Sequence, residues 1–164
     1  MIDISGKSVS KRLAIAEGSI KLSKEGVDAI VESNVPKGNV FEAAKIAGMQ
    51  AVKNTPNVLP YCFANPIDSV DIDFSLSEDH VTVKCEVKGD GKFGLEMEAL
   101  LGCSVAILTV WDMVRPYEKD KVGMYPETMI EGIKVVKKSR EIAETEKVAQ
   151  KEKEAPFMKR QIVM

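Results

Sequence analysis

The sequence predicts an α+β sandwich in which helices pack on one face of an antiparallel sheet. Two observations carry that prediction. Val70, Ile72, Phe74 and Leu76 alternate with polar residues, and Val81, Val83, Cys85 and Val87 do the same after a Glu78-Asp79 turn, which describes a hairpin with one wet face. From about Leu95 to Tyr117 the chain is rich in Ala, Leu, Met and Val, so this long helix needs burial against a sheet or another subunit. Strands interleave with helices, with no internal repeat and no second domain. The expected organisation is one domain over residues 1–140 and a charged segment over 141–164.

The elements follow in order. Residues 11–22 alternate in part, through Leu13, Ile15, Ile20 and Leu22, and read as a strand with a bend or bulge at Gly18. Ser23 can cap a short helix that carries Val27, Ile30 and Val31 on one face. Asn34-Val35-Pro36-Lys37-Gly38 is a loop, and Asn39 caps a second helix whose apolar face holds Val40, Ala43, Ala44, Ala47 and Val52. Pro56 and Pro60 bracket an irregular stretch that runs to Pro66. After the hairpin, Gly89-Asp90-Gly91 is read as its end. Pro116 lies near the end of the long helix or cuts it one turn early. Lys119 to Pro126 is a polar loop, and Ile133, Val135 and Val136 mark a last strand. Residues 140–154 are heavily charged, as a solvated helix or a flexible tail. This order of elements is compatible with a ferredoxin-like arrangement.

Bulk properties narrow the function. The chain has 164 residues, 45% of them hydrophobic, and a formal charge of −2. It can bury one real core, and no overall electrostatic pull toward nucleic acid or anionic lipid is indicated. No uninterrupted apolar run approaches the ~18–20 residues that span a bilayer, and the N-terminus lacks a secretory pattern. The cytoplasm is the expected address. Cys62, Cys85 and Cys103 show no CxxC spacing, and His80 is the one histidine. A disulfide framework, a structural zinc site and histidine-rich catalysis are therefore not expected.

Three places hold residues with chemical potential. Lys37, beside Gly38 and just ahead of a helix N-terminus, combines a point charge with free backbone N–H groups, a suitable contact for an anion. The plain alternative is a surface lysine in a turn. Glu96 and Glu98 open the long helix, where carboxylates are favoured by the dipole alone. At ~100° per residue they face different sides, so one can meet a ligand while the other meets solvent. Asp112 and Arg115 are three apart and can pair on the helix surface. Glu98 and Asp112 are 14 positions apart, a separation of ~21 Å along a helix. They cannot flank one small reacting bond within a subunit, so a site using both is extended or shared between copies.

Read together, several segments resemble the cyclic pyranopterin monophosphate synthase family of molybdenum cofactor biosynthesis. They are Met1-Ile2-Asp3-Ile4-Ser5, Pro36-Lys37-Gly38-Asn39-Val40-Phe41 with the helix that follows, Gly94-Leu95-Glu96-Met97-Glu98-Ala99-Leu100, and Leu108-Thr109-Val110-Trp111-Asp112-Met113. The match runs in order to about residue 138, and the loop from Glu118 to Thr128 is similar to archaeal members. The resemblance implies a ferredoxin-like subunit, a homohexamer built as a trimer of dimers, and a lyase acting at phosphorus–oxygen bonds. It implies conversion of (8S)-3',8-cyclo-7,8-dihydroguanosine 5'-triphosphate to cyclic pyranopterin monophosphate with release of pyrophosphate. The substrate would come from a radical S-adenosylmethionine enzyme. No cofactor is firmly implied, with magnesium left open as a companion of the triphosphate; no nucleic acid or membrane partner is expected. Lys37 and Asp112 fall on the expected catalytic pair, and Arg115 on a further active-site position. Tyr61, Cys62, Phe63, Glu96, Met97, Glu98 and Lys138 fall on substrate-binding positions.

The chain departs from the family pattern at three points. Phe63 stands where the family has histidine followed by proline, and Arg115 where it has lysine. A GGKSG-like tail is replaced by Lys137-Lys138-Ser139-Arg140. A phenyl ring can stack or fill space but cannot move a proton, and arginine keeps a charge without serving as a base. The enzyme reading therefore stands beside a second one: a catalytically impaired homologue that binds a pterin or nucleotide, or serves as an assembly partner.

Overall fold

The computed structural model describes residues 1–142. Four strands form one antiparallel sheet in the order β2-β3-β1-β4. They are β1 (Ser10–Lys21), β2 (Ser69–Leu76), β3 (His80–Gly91) and β4 (Met129–Glu141). The helices are α1 (Lys24–Val31), α2 (Val40–Lys53), the single turn α3 (Thr55–Val58) and α4 (Glu96–Glu118). A split pair of β-α-β units with this strand order is the ferredoxin-like arrangement.

Local chemistry sets the element boundaries. Ser23 Oγ accepts from the Gly26 N–H at the start of α1, and Asn39 Oδ1 accepts from the Glu42 N–H at the start of α2, as the capping residues predict. The irregular stretch after Pro56 contains α3, entered through a proline in its first turn, a position where the missing N–H costs nothing. The hairpin outlasts its expected end: Gly89, Asp90 and Gly91 stay in β3 because Arg12, Lys11 and Ser10 of β1 pair with them. The last strand is likewise longer than Ile133–Val136, since β1 pairs with it from Met129 to Glu141. The charged segment expected beyond residue 140 lies outside the described residues from 143 onward.

The bulge expected at Gly18 sits on the neighbouring strand. Glu17 pairs with Lys134 and Ser19 with Glu131, so Gly132 and Ile133 together oppose Gly18. Gly132 takes φ +61°, the left-handed conformation a bulge glycine supplies. Gly18 is small for another reason: a Cβ there would lie 2.7 Å from the Ile133 side chain.

The core lies between the sheet and α4. Ala14, Ala16 and Ile20 of β1 and Val81, Val83, Cys85 and Val87 of β3 meet Ala99, Cys103, Ala106, Ile107, Val110 and Val114 of α4. By length and composition α4 could cross a bilayer, but half of its most apolar window is buried inside this domain, as befits a core helix. α2 packs closely beside it, because a Cβ at Gly48 would come within 2.9 Å of the Gly102 carbonyl oxygen. The outer side of α4 remains apolar, with Leu101 and Trp111 half-buried and Met97 and Leu108 exposed.

α4 continues through Pro116 to Glu118. Glu118 is buried at the helix C-terminus, where a carboxylate opposes the dipole. The N-terminus of α1 supplies the compensation. Glu118 accepts from the Ser23 N–H at 2.9 Å, from Ser23 Oγ at 3.0 Å and from Thr128 Oγ1 at 2.5 Å.

Candidate functional site

The sequence-selected residues gather at the two ends of α4. At its N-terminal end a cavity of about 1230 Å³ is lined by Tyr61, Cys62, Phe63, Asn65, Phe93, Glu96, Met97, Glu98 and Lys138, together with residues of the N-terminus and of β4. All seven expected substrate-binding residues are therefore brought together. At the C-terminal end, α4 presents Asp112 and Arg115 beside Lys37 from the α1–α2 loop.

Within the cavity the two glutamates divide as helical geometry requires. Glu98 is only 3% exposed and accepts from Asn65 Nδ2 at 3.0 Å. Glu96 is half-buried and takes a 3.0 Å bond from Lys138 Nζ. Burial alone would raise the Glu96 carboxyl; the Lys138 hydrogen bond and charge, with Arg12 nearby, bring it below its ordinary value instead. Arg12 lies opposite Arg140 across β1 and β4. Burial first and then the charge of Arg140 lower its affinity for its proton, and its buried Nε has no hydrogen-bond partner among the described residues.

Phe63 is held in a stack. Its ring lies 4.8 Å from that of Phe93, with 7° between the planes. Lys7 Nζ sits 4.1 Å from the centre of the Phe93 ring. Since Phe63 covers one face of Phe93, the ammonium takes the other, a cation–π contact. The residue that replaces a proton carrier is therefore part of an ordered wall. Burial, then the Glu98 charge, raises the pKa of neighbouring Cys62, so its thiol is no ready nucleophile.

At the other end, Lys37 Nζ lies 2.6 Å from Asp112 Oδ2 and 3.0 Å from the Asp112 carbonyl oxygen. The Lys37 hydrogen bond lowers the Asp112 carboxyl below its ordinary value; burial opposes it, and the charges of Lys37 and Arg115 add to the lowering. Arg115 Nη2 stands 3.7 Å from Asp112 Oδ1, beyond hydrogen-bond range, which leaves the guanidinium free to meet another anion. Asp112 is 54% exposed and Lys37 is 42% exposed, so the pair faces open space. Trp111 beside it is fixed edge-on by Tyr125, with ring centres 5.5 Å apart.

Sequence reasoning missed Asn65, Phe93, Lys7 and Arg12. Asn65 sits between Ala64 and Pro66 in a stretch without periodicity, and Phe93 carried no signal beyond preceding the glutamate motif. Their roles arise from long-range contacts. His80 is remote: it binds Asp79 Oδ1 at 2.7 Å in the hairpin turn and lies 3.7 Å from Glu131. Among the described residues, no three or more His, Cys, Asp or Glu side chains converge to hold a metal ion.

Fold and site together define a class: a small ferredoxin-like α+β domain with a carboxylate-lined cavity at one end of its long helix and, at the other, an exposed aspartate paired with a loop lysine. The chain belongs to the MoaC family, whose model matches residues 1–140. It is 52% identical to a probable cyclic pyranopterin monophosphate synthase of Archaeoglobus fulgidus, over 84% of this chain and 88% of that protein. A probable synthase of Methanococcoides burtonii is 50% identical, over 86% and 89%. A Methanothermobacter thermautotrophicus protein named a probable cyclic pyranopterin monophosphate synthase accessory protein is 46% identical, over 85% and 88%.

Proposed function

We propose that the chain is a cytoplasmic cyclic pyranopterin monophosphate synthase of molybdenum cofactor biosynthesis. It converts (8S)-3',8-cyclo-7,8-dihydroguanosine 5'-triphosphate, supplied by a radical S-adenosylmethionine enzyme, to cyclic pyranopterin monophosphate and pyrophosphate. The observation that carries this reading is the 2.6 Å contact between Lys37 and Asp112, made across 75 residues of sequence. An exposed ammonium with a carboxylate partner can pass and recover a proton. Lys37 is the proton-transfer group and Asp112 fixes its position and balances its charge. Arg115 supplies a permanent positive charge to the phosphates.

In the cavity, Glu98 is the buried acceptor for donors on the substrate's heterocycle, with Met97 beside it. Phe63 offers a stacking surface, and Tyr61 and Cys62 complete that wall. Lys137 and Lys138 line the cavity and form its phosphate end, with Arg12 close enough to act on the Glu96 charge. Any magnesium ion would arrive on the substrate's phosphates.

The two clusters are ~21 Å apart along α4, which supports a site shared between copies. The apolar outer stripe of α4, from Met97 through Leu101 and Leu108 to Trp111, joins them. A second copy laid antiparallel on this stripe would set its Lys37 and Asp112 against this copy's Glu98 and Lys138. Such a dimer is the unit of the proposed hexamer, a trimer of dimers.

The test is turnover of the cyclised dihydro-GTP, read by pyrophosphate release and by product fluorescence after oxidation. Product formation supports the synthase. Tight binding without product supports the catalytically impaired homologue, and neither binding nor product removes the substrate assignment.

A further inference from the structure

We propose that Pro116 and Tyr117, in the last turn of α4, are positioning residues that hold the Lys37 ammonium on Asp112. The proposal rests on the reading of Lys37 and Asp112 as the catalytic pair. In an α-helix the carbonyl of residue 112 accepts from the N–H of residue 116. Here residue 116 is proline, which has no N–H and whose ring crowds that same carbonyl. The Asp112 oxygen is thereby released from the helix ladder, and Lys37 Nζ takes it at 3.0 Å while donating to Oδ2 of the same residue at 2.6 Å.

A single exposed ion pair is a loose restraint, screened by water and opposed by side-chain entropy. Two acceptors on one residue, one of them backbone, fix where the ammonium sits. The charged groups that face Nζ are Asp112 and, beyond it, Arg115.

Tyr117 restrains the other partner. Its Oη donates to the Asn34 carbonyl at 2.8 Å, three residues before Lys37. Buried Val35 and the Gly38 N–H bond to the Val35 carbonyl complete the loop. The same helical turn therefore frees the acceptor for Lys37 and tethers the loop that brings Lys37 to it. Glu118, the next residue, holds the start of α1 through Ser23, so the α1–loop segment is attached to α4 at both ends.

The test uses the full chain and the variants Pro116→Ala, Tyr117→Phe and Lys37→Ala, each checked for folding by circular dichroism. Pro116→Ala restores the N–H that competes for the Asp112 carbonyl. It should lower kcat by roughly tenfold with KM changed by less than about twofold, because misplaced catalytic groups affect the transition state more than binding. Tyr117→Phe should act in the same direction. In carbon-13 NMR titrations, the Asp112 carboxyl should move upward in Pro116→Ala, part of the way to its position in Lys37→Ala. That measurement needs no turnover, so it decides the positioning role even if the proposed substrate is wrong. A folded Pro116→Ala with native kcat and native Asp112 titration would overturn the proposal. If Pro116→Ala does not fold, Tyr117→Phe decides it by the same two readings.

Discussion

At one end of α4, Glu98 is 3% exposed, bonded to Asn65 and enclosed by a cavity of about 1230 Å³. At the other, Asp112 is 54% exposed and faces open space with Lys37. Both carboxylates belong to one continuous helix, yet one sits at the floor of a cavity and the other on a surface. The difference is one of burial: the same helix carries a carboxylate into the domain at one end and out of it at the other. The β4 side of the domain encloses the first end, whereas only the α1–α2 loop reaches the second. On the proposed reading, the enclosed end binds the substrate and the open lysine–aspartate end is the one a second copy would cover.

The largest expected effect is at the open end. Lys37→Ala should cut kcat by about 10²–10⁴-fold, the usual contribution of a proton-transfer group. Its melting temperature should stay within a few degrees, because the side chain is 42% exposed and such substitutions typically cost no more than about 0.5 kcal/mol. Native turnover in that variant would remove Lys37 from the mechanism.

A mixing experiment probes the division itself. Lys37→Ala and Glu98→Gln should each be nearly inactive alone. After subunit exchange, the mixture should regain about a quarter of native sites, as random pairing in two-fold dimers allows. No recovery despite verified exchange would mean that the two ends serve different sites.

Phe63→His tests the cavity. The stack with Phe93 and Lys7 indicates a wall already built around a phenyl ring. We expect no gain in rate and a stability loss of about 1 kcal/mol, typical of an aromatic pair. A rate increase would show that the cavity merely lacks a proton carrier.

Smaller effects concern titration. Lys37 lowers the Asp112 carboxyl, so Lys37→Ala should move its midpoint upward, toward the ordinary carboxylate value. A carboxyl lowered on folding adds stability that is present above its unfolded value and lost as pH falls through the folded one. That window lies in strong acid here, and solvent screening of so exposed a pair keeps the contribution small. Smallest of all, burial pushes Cys85 and Cys103 up to about 12. Both should resist alkylation at pH 8 in the native state and react once unfolded. Rapid native labelling of either would contradict their burial.

Much of this organisation is legible in the amino-acid order because it depends on near neighbours. Ser23 and Asn39 cap α1 and α2 as read, and the alternation on either side of Glu78-Asp79 folds into the β2–β3 hairpin. The order of elements is compatible with a ferredoxin-like sheet, and strand pairing in the order β2-β3-β1-β4 makes it one. Strand ends were less legible: Gly89-Asp90-Gly91 reads as a terminus, but pairing with residues 10–12 keeps it in the sheet. The bulge signal at Gly18 was displaced by one strand, because a glycine demanded by close packing looks like one demanded by backbone conformation.

The site shows the same boundary. The helical period alone separates Glu96 from Glu98 and places Glu98 and Asp112 ~21 Å apart. It cannot show that Asn65 satisfies Glu98, that Phe93 and Lys7 support Phe63, or that the oxygen Pro116 leaves without its N–H partner is taken by Lys37. Sequence by itself determined the elements, the apolar faces and the spacing along each element, since periodicity, capping and turn chemistry act over a few residues. Tertiary structure decided which side chains meet, because those partners lie 33, 30, 86 and 75 residues apart. Only the closing of the sheet against α4 brings them within bonding distance.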